Sequence, residues 1–253
     1  MSKTVLITGA ASGIGLFIAE QLAQAGHQII VTDLNEAQAL QAANRINELG
    51  GNAKGYPLNV ADSDAISAFF MALSQPIDVL INNAGIQHVA KLEAFPADKW
   101  QFLQQVMLVG PAMMTKAVLP AMRAQNFGRI INIGSIHAMV ASKYKSAYVA
   151  AKHGLIGFSK TIALETGDAN ITINTVCPAY VKTPLVEQQI ASQAKQHGIS
   201  EQQVIESIML APMPKKAFIG LDEILHTVNF LMADAARNIT AQAIAIDGGW
   251  TAQ

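Results

Sequence analysis

A tyrosine and a lysine at positions i and i+4, here Tyr148 and Lys152, share one face of a helix. Ser135 stands thirteen positions upstream, at the end of Arg129-Ile130-Ile131-Asn132-Ile133-Gly134, which reads as a buried strand. A hydroxyl, a phenol and an ammonium can therefore meet at a strand end. A phenol ordinarily loses its proton near pH ~10 and is a poor base at neutral pH. A close ammonium favours the phenolate and lowers that value. Tyr148 is then able to exchange a proton with a substrate hydroxyl or carbonyl while Ser135 hydrogen-bonds the same oxygen. Alone, the spacing marks only a surface pair on a helix. Its weight comes from three further motifs that stand in order around it.

The first motif follows the short apolar strand Thr4 to Thr8. It reads Gly9-Ala10-Ala11-Ser12-Gly13-Ile14-Gly15 and leads into a helix from Leu16 to Ala25. Strand, glycine turn and helix form the setting of a phosphate-binding loop. Glycines admit a pyrophosphate, and the helix start supplies free N–H groups and positive dipole. The second motif is Asp33, at the end of the strand Gln28 to Thr32 and 18 residues beyond Gly15. A carboxylate there accepts from ribose hydroxyls and repels a 2′-phosphate. No Arg or Lys lies between Gly9 and Asp33, which favours NAD over NADP. A turn or cap aspartate before Asn35-Glu36 is the alternative. The third motif is Asn82-Asn83-Ala84-Gly85, after the strand Val79-Leu80-Ile81. Asn and Gly at a strand end tolerate a turn and bring backbone groups beside a ligand.

These residues need a scaffold that gathers strand ends. Apolar runs predict strands at 4–8, 28–32, 53–57, 78–82, 129–134, 171–177 and 243–246. Helices are expected at 14–25, 35–49, 62–73, 97–124, 146–168, 184–210 and 222–233. Such alternation implies an α/β fold, a doubly wound Rossmann-like parallel sheet with helices on both faces. No linker or repeat divides the chain, so residues 1–253 read as one dinucleotide-binding catalytic domain. Residues 184–214 follow a strand end on the ligand side and read as a helical lid, or else as a cover for the core. The 253 residues suffice for one large core. With 14% charged residues and a net charge of −1, no basic stripe points to nucleic acid. The single cysteine, Cys177, excludes an internal disulfide and reads as a buried filler. A first strand at about Thr4 leaves no room for a signal peptide, and no apolar stretch is seen to reach the ~20 residues of a membrane span. A cytoplasmic location away from membranes is expected. The six histidines lack metal-ligand spacing, so no metal is expected.

Near the proposed chemistry stand Gln87, His137, Lys145 and, in the lid, Gln189. Lys145 adds a second cation to a site that already uses Lys152. A neutral alcohol would not offset that charge in a closed cleft; a small carboxylate would, with the other three adding hydrogen bonds. A solvated lysine, a loop histidine and two surface glutamines are the alternative reading.

From end to end the chain resembles the short-chain dehydrogenase/reductases. The matching segments are Thr8 to Gly15, Asn82 to Gly85, Ser135, Tyr148-x-x-x-Lys152 and Cys177-Pro178. Within that family Asn83 to His88, Ser135-Ile136-His137, Lys145 to Gly154, Thr183 to Val186, Gln188-Gln189-Ile190 and Asp247 to Trp250 are similar to the bacterial D-3-hydroxybutyrate dehydrogenases. The resemblance implies NAD-dependent interconversion of (R)-3-hydroxybutyrate and acetoacetate. It implies that Gln87, His137, Lys145 and Gln189 hold the carboxylate. Tyr180, where the subgroup often has Trp, and Trp250 would wall off the methyl end. The cofactor would lie along Gly9, Ser12, Gly13, Ile14, Gly15, Asp33, Asn59, Val60, Asn83, Gly85, Tyr148, Lys152, Pro178, Val181 and Thr183. Helices 97–124 and 146–168 resemble the family's subunit-pairing helices, which implies a homotetramer; packing on the sheet is the alternative.

Three positions depart from the family pattern. Met107 stands where a helix asparagine is usual, which puts a water relay from Lys152 in doubt, because a thioether accepts only weakly. Asn59-Val60 replaces an Asp-Val pair, and Ala179 replaces a glycine after Pro178. Two other functions compete: an NADPH-dependent 3-oxoacyl thioester reductase of the same family, and a non-catalytic NAD(H)-binding sensor or assembly protein.

Overall fold

Runs of β-branched residues with no polar alternation bury both faces of a strand. In the computed structural model, which describes residues 2–73 and 75–252, such runs build the centre of one sheet. Strands β4 (Val79–Asn82), β5 (Gly128–Ile133) and β6 (Ile171–Pro178) are buried at every position. With β1 (Thr4–Thr8), β2 (Gln28–Asp33), β3 (Asn52–Pro57) and β7 (Ala243–Ile246) they form a seven-stranded sheet in the order β3-β2-β1-β4-β5-β6-β7. All six pairings are parallel. This is the doubly wound arrangement expected.

The period of two along each strand sorts the core into two faces. Val5 and Ile7 of β1 pack with α1 (Gly13–Gln24) and α9 (Leu221–Met232) through Ile18, Leu22, Ile224 and Val228. Leu6 faces the other way, with Leu80, Ile130 and Ile173, toward α4 (Ala97–Gln104), α5 (Gly110–Ala124) and α6 (Ser146–Glu165). Helices α2 (Glu36–Glu48) and α3 (Ser63–Ala72) complete the layers. The order changes direction between β1 and β4, so the crevice beyond their C-terminal ends is the place for a ligand.

Two expected helices are interrupted. The helix over 97–124 is continuous but contains a π turn at Gln105–Val109, where the Gly110 N–H bonds the Gln105 carbonyl five residues back. Pro111 has no N–H to offer the carbonyl four residues before it, so the α ladder cannot run through regularly. At 28 residues this helix is long and apolar enough to cross a membrane, against the expectation that no stretch reaches that length. Its face bearing Leu103, Met107, Met114 and Val118 is buried against the sheet. The helix expected over 184–210 ends early. Thr183 caps α7 (Pro184–His197), and Gly198 closes it at φ +64°, a left-handed turn that glycine adopts without a Cβ penalty. A Ser200–Gln203 capping box then starts α8 (Glu201–Val204), which continues into a second π turn, Ile205–Met209. Ile190, Val204 and Met209 give this segment a small core of its own.

Candidate active site

Strand order brings the ends of β1, β2, β4, β5 and β6 to one edge, where they line a cleft of about 380 Å³. Gly9 leaves β1 at φ +61°, and a Cβ there would stand 2.8 Å from the Ala84 Cα. The loop therefore requires glycine on two counts, conformation and close approach. The Thr8 hydroxyl accepts from Asn83 N at 3.0 Å and Ala84 N at 3.1 Å. Asn83 Nδ2 donates to the Thr8 and Gly9 carbonyls, both at 2.9 Å. The Asn83 side chain thus braces the glycine loop from beneath. Ser12, the N-cap of α1, makes no side-chain cap bond, so the first turn keeps N–H donors for an anion. At the end of β2, Asp33 accepts from Ala11 N at 3.3 Å and Asn35 N at 3.2 Å, and its carboxylate faces the cleft. This cradle fits a dinucleotide: glycine loop, uncapped helix start and an acid at the second strand.

The three groups expected to do chemistry meet in the cleft. Ser135 follows β5, and Tyr148 and Lys152 project from the first turns of α6. Lys152 Nζ lies 5.7 Å from the Tyr148 ring centroid and donates to the Ile133 carbonyl at 2.7 Å. Burial pushes the Lys152 ammonium down to about 8. It pushes the Tyr148 phenol up, and the hydrogen bond to Ser135 only partly opposes this. In this cleft burial outweighs the Ser135 bond, contrary to the lowered value anticipated for the phenol. Burial favours the uncharged form of both groups.

Also lining the cleft, Lys145 is only 6% exposed, and burial pushes it down to about 8. Its Nζ donates to Tyr180 Oη at 3.2 Å. His137 Nδ1 lies 3.3 Å from Ser135 Oγ, and Nε2 lies 2.7 Å from Ser142 Oγ. Burial first, then the Lys145 charge, push His137 down to about 3, so it is neutral across ordinary pH. Gln87 Oε1 accepts from His88 N at 3.0 Å, and Gln189 reaches the cleft from α7.

Every expected site residue lines the cleft except two. Gly15 is buried beneath the loop, where a Cβ would stand 2.5 Å from Asn83 Nδ2; its role is packing. Trp250 stands behind the wall, stacked on Tyr180 at 6.0 Å and edge-on to His137 at 5.8 Å. Tyr180 lines the cleft, yet its hydroxyl touches Lys145, so the wall it forms is not purely apolar. Ser142, Leu34 and Phe102 went unnoticed in the sequence. Ser142 reaches His137 only through the fold, and Leu34 and Phe102 carry no polar signal that marks them off from other apolar residues.

Residues 3–194 match the family model described as short chain dehydrogenase. The chain is 41% identical to the D-beta-hydroxybutyrate dehydrogenase of Rhizobium meliloti, covering 100% of both chains. It is also 41% identical to the D-beta-hydroxybutyrate dehydrogenase of Cupriavidus necator, over 99% of this chain and 98% of the relative. Identity to the Escherichia coli 3-oxoacyl acyl-carrier-protein reductase FabG is 35%, over 98% and 96%. The crystal structure of sorbitol-6-phosphate 2-dehydrogenase SrlD from Erwinia amylovora matches with a TM-score of 0.92 at 29% identity, covering 98% of this chain and 99% of that one.

Proposed function

The chain belongs to the short-chain dehydrogenase family, an oxidoreductase family, and we propose that it interconverts (R)-3-hydroxybutyrate and acetoacetate with NAD. The observation that carries this reading is Lys145. This ammonium, buried in the cleft, has no carboxylate in ion-pair distance among the described residues. A buried charge without a partner is costly, and an incoming carboxylate would supply the partner. Gln87, Gln189 and His137 line the same cleft and would add hydrogen bonds to that carboxylate. The names of the 41% identical relatives support the same substrate and the D, or R, enantiomer.

The cofactor residues follow from the cradle. N–H groups of the Gly9–Gly13 loop and the Ser12 hydroxyl would hold the pyrophosphate. Asp33 would accept from the adenosine ribose and disfavour a 2′-phosphate. Asn59, Val60 and Gly85 would flank the adenine side, with Ile14, Pro178, Val181 and Thr183 on the nicotinamide side. Lys152 would bond the nicotinamide ribose. When bound, NAD supplies the hydride acceptor for C3 of the alcohol. Tyr148 takes the hydroxyl proton as the C3–H bond breaks, and Ser135 donates to the same oxygen. In the reverse direction Tyr148 returns that proton to the ketone oxygen. Residues 184–214 close over the cleft, excluding water and bringing Gln189 to the carboxylate.

Likeness to FabG favours a second reading, NADPH-dependent reduction of a 3-oxoacyl thioester. Asp33 and the buried Lys145 argue against it, since a thioester brings no carboxylate at that position. Intact Ser135, Tyr148 and Lys152 argue against a non-catalytic sensor. The proposed assembly is a homotetramer paired through the helices at 97–124 and 146–165; Phe102 and Leu164, 42% and 86% exposed, are apolar groups on them that a partner would cover. The discriminating assay supplies (R)-3-hydroxybutyrate with NAD and a 3-oxoacyl thioester with NADPH. Turnover of the hydroxy acid alone supports this function, and turnover of the thioester alone refutes it.

A further inference from the structure

Tyr180 sits just past β6, and its position is set from several sides. Ile219 N donates to its carbonyl at 2.9 Å. Trp250 stacks on its ring with an interplanar angle of 25°. The ring also packs against the small core of the lid segment. So fixed, the ring puts its Oη 3.2 Å from Lys145 Nζ, with the ammonium 5.3 Å from the ring centroid. A wall expected to be apolar thus carries a hydroxyl beside a cation that has no ion-pair partner among the described residues.

Resting on the reading that the substrate is a small carboxylate, we propose that Tyr180 determines specificity: its hydroxyl accepts from Lys145 and donates its own hydrogen to the bound carboxylate. A phenol can do both at once, because the ammonium uses an oxygen lone pair and leaves the O–H free. Lys145 has three N–H donors; one rests on Tyr180, and two remain for the carboxylate. Burial pushes the Tyr180 phenol up to about 12, which keeps the hydrogen on the oxygen. Phenylalanine at this place would offer neither bond. Tryptophan would offer a donor only, and the ammonium would lose its acceptor.

The test uses acetate as the minimal carboxylate. It is titrated by calorimetry into the full-length wild-type, Y180F and Y180W proteins, each saturated with NADH, and NADH affinity is measured alongside. Loss of a hydrogen bond to a charged group predicts acetate binding about 10-fold weaker in Y180F and in Y180W, with NADH affinity retained. Acetate affinity in Y180F equal to wild type, or a parallel loss of NADH affinity, overturns the proposal, since Tyr180 then contributes packing alone. Tyr180-dependent acetate binding in an enzyme that leaves 3-hydroxybutyrate unoxidised supports this anion site while refuting the substrate. Wild-type protein that fails to bind acetate with NADH present overturns the site itself.

Discussion

Tyr148 and Lys152 share one buried environment and respond in opposite directions. Burial moves the phenol up and the ammonium down to about 8, so at neutral pH the phenol keeps its proton while most of the ammonium stays charged. A positively charged cofactor ring beside them would favour the phenolate, which ties proton removal to cofactor binding. Replacing Tyr148 by Phe removes the phenol placed against Ser135 and should lower kcat by about 10³-fold with NADH affinity retained. Steady-state rates and NADH fluorescence titration check both halves. In the proposed function Lys145 governs substrate affinity instead. It is charged below its value of about 8, so KM for the hydroxy acid should be flat at lower pH and rise as pH climbs through about 8. Lys145→Ala should raise KM by about 10-fold or more and abolish that limb of the profile. A pH-independent KM in the wild type would contradict the assignment. The Tyr-x-x-x-Lys pair was legible because both residues sit on one helix. The Lys145–Tyr180 bond joins residues 35 apart and depends on where β6 ends relative to α6, which no local pattern encodes.

The glycine loop is held by another element. Asn83, at the end of β4, bonds the Thr8 and Gly9 carbonyls, and Thr8 returns bonds to the backbone of Asn83 and Ala84. Asn83→Ala leaves two carbonyls without that partner and should weaken NADH binding by about 10-fold, while the melting temperature shifts by only a few degrees. Unchanged NADH affinity would show that the loop holds its shape unaided. In the helix at 97–124, Met107 is fully buried in the π turn. A Cβ on Gly85 would lie 3.8 Å from its sulfur, so a thioether adjoins the cleft wall where the family usually has an amide. Lys152 instead donates directly to the Ile133 carbonyl. The strands and most helices were legible because apolar periodicity is a local property. The breaks were not read for specific reasons. Gly198 lies within a Gln- and Ala-rich stretch of good helix formers, and the π turn arises from Pro111, which helices otherwise accept in a first turn.

At the scale of the whole molecule, the parallel order β3-β2-β1-β4-β5-β6-β7 turns scattered sequence motifs into one cleft. Gly9, Asp33, Asn83, Ser135 and Pro178 are far apart in the chain and each stands at or just beyond a strand's C-terminal end. The doubly wound fold was therefore enough to gather nearly the whole site, and Gly15 and Trp250 fell outside it because each packs one layer behind the surface. Light scattering should return four times the 26.9 kDa chain mass for the proposed tetramer; a monomeric mass would leave Leu164 and Phe102 as ordinary exposed side chains. The most direct test of the function is NADH formation, followed by absorbance, with NAD and either (R)- or (S)-3-hydroxybutyrate, and with NADP in place of NAD as control. Turnover confined to NAD and the R enantiomer is the expected result. NADH binding without turnover of either enantiomer would contradict the substrate assignment and leave the family and its cofactor cradle in place.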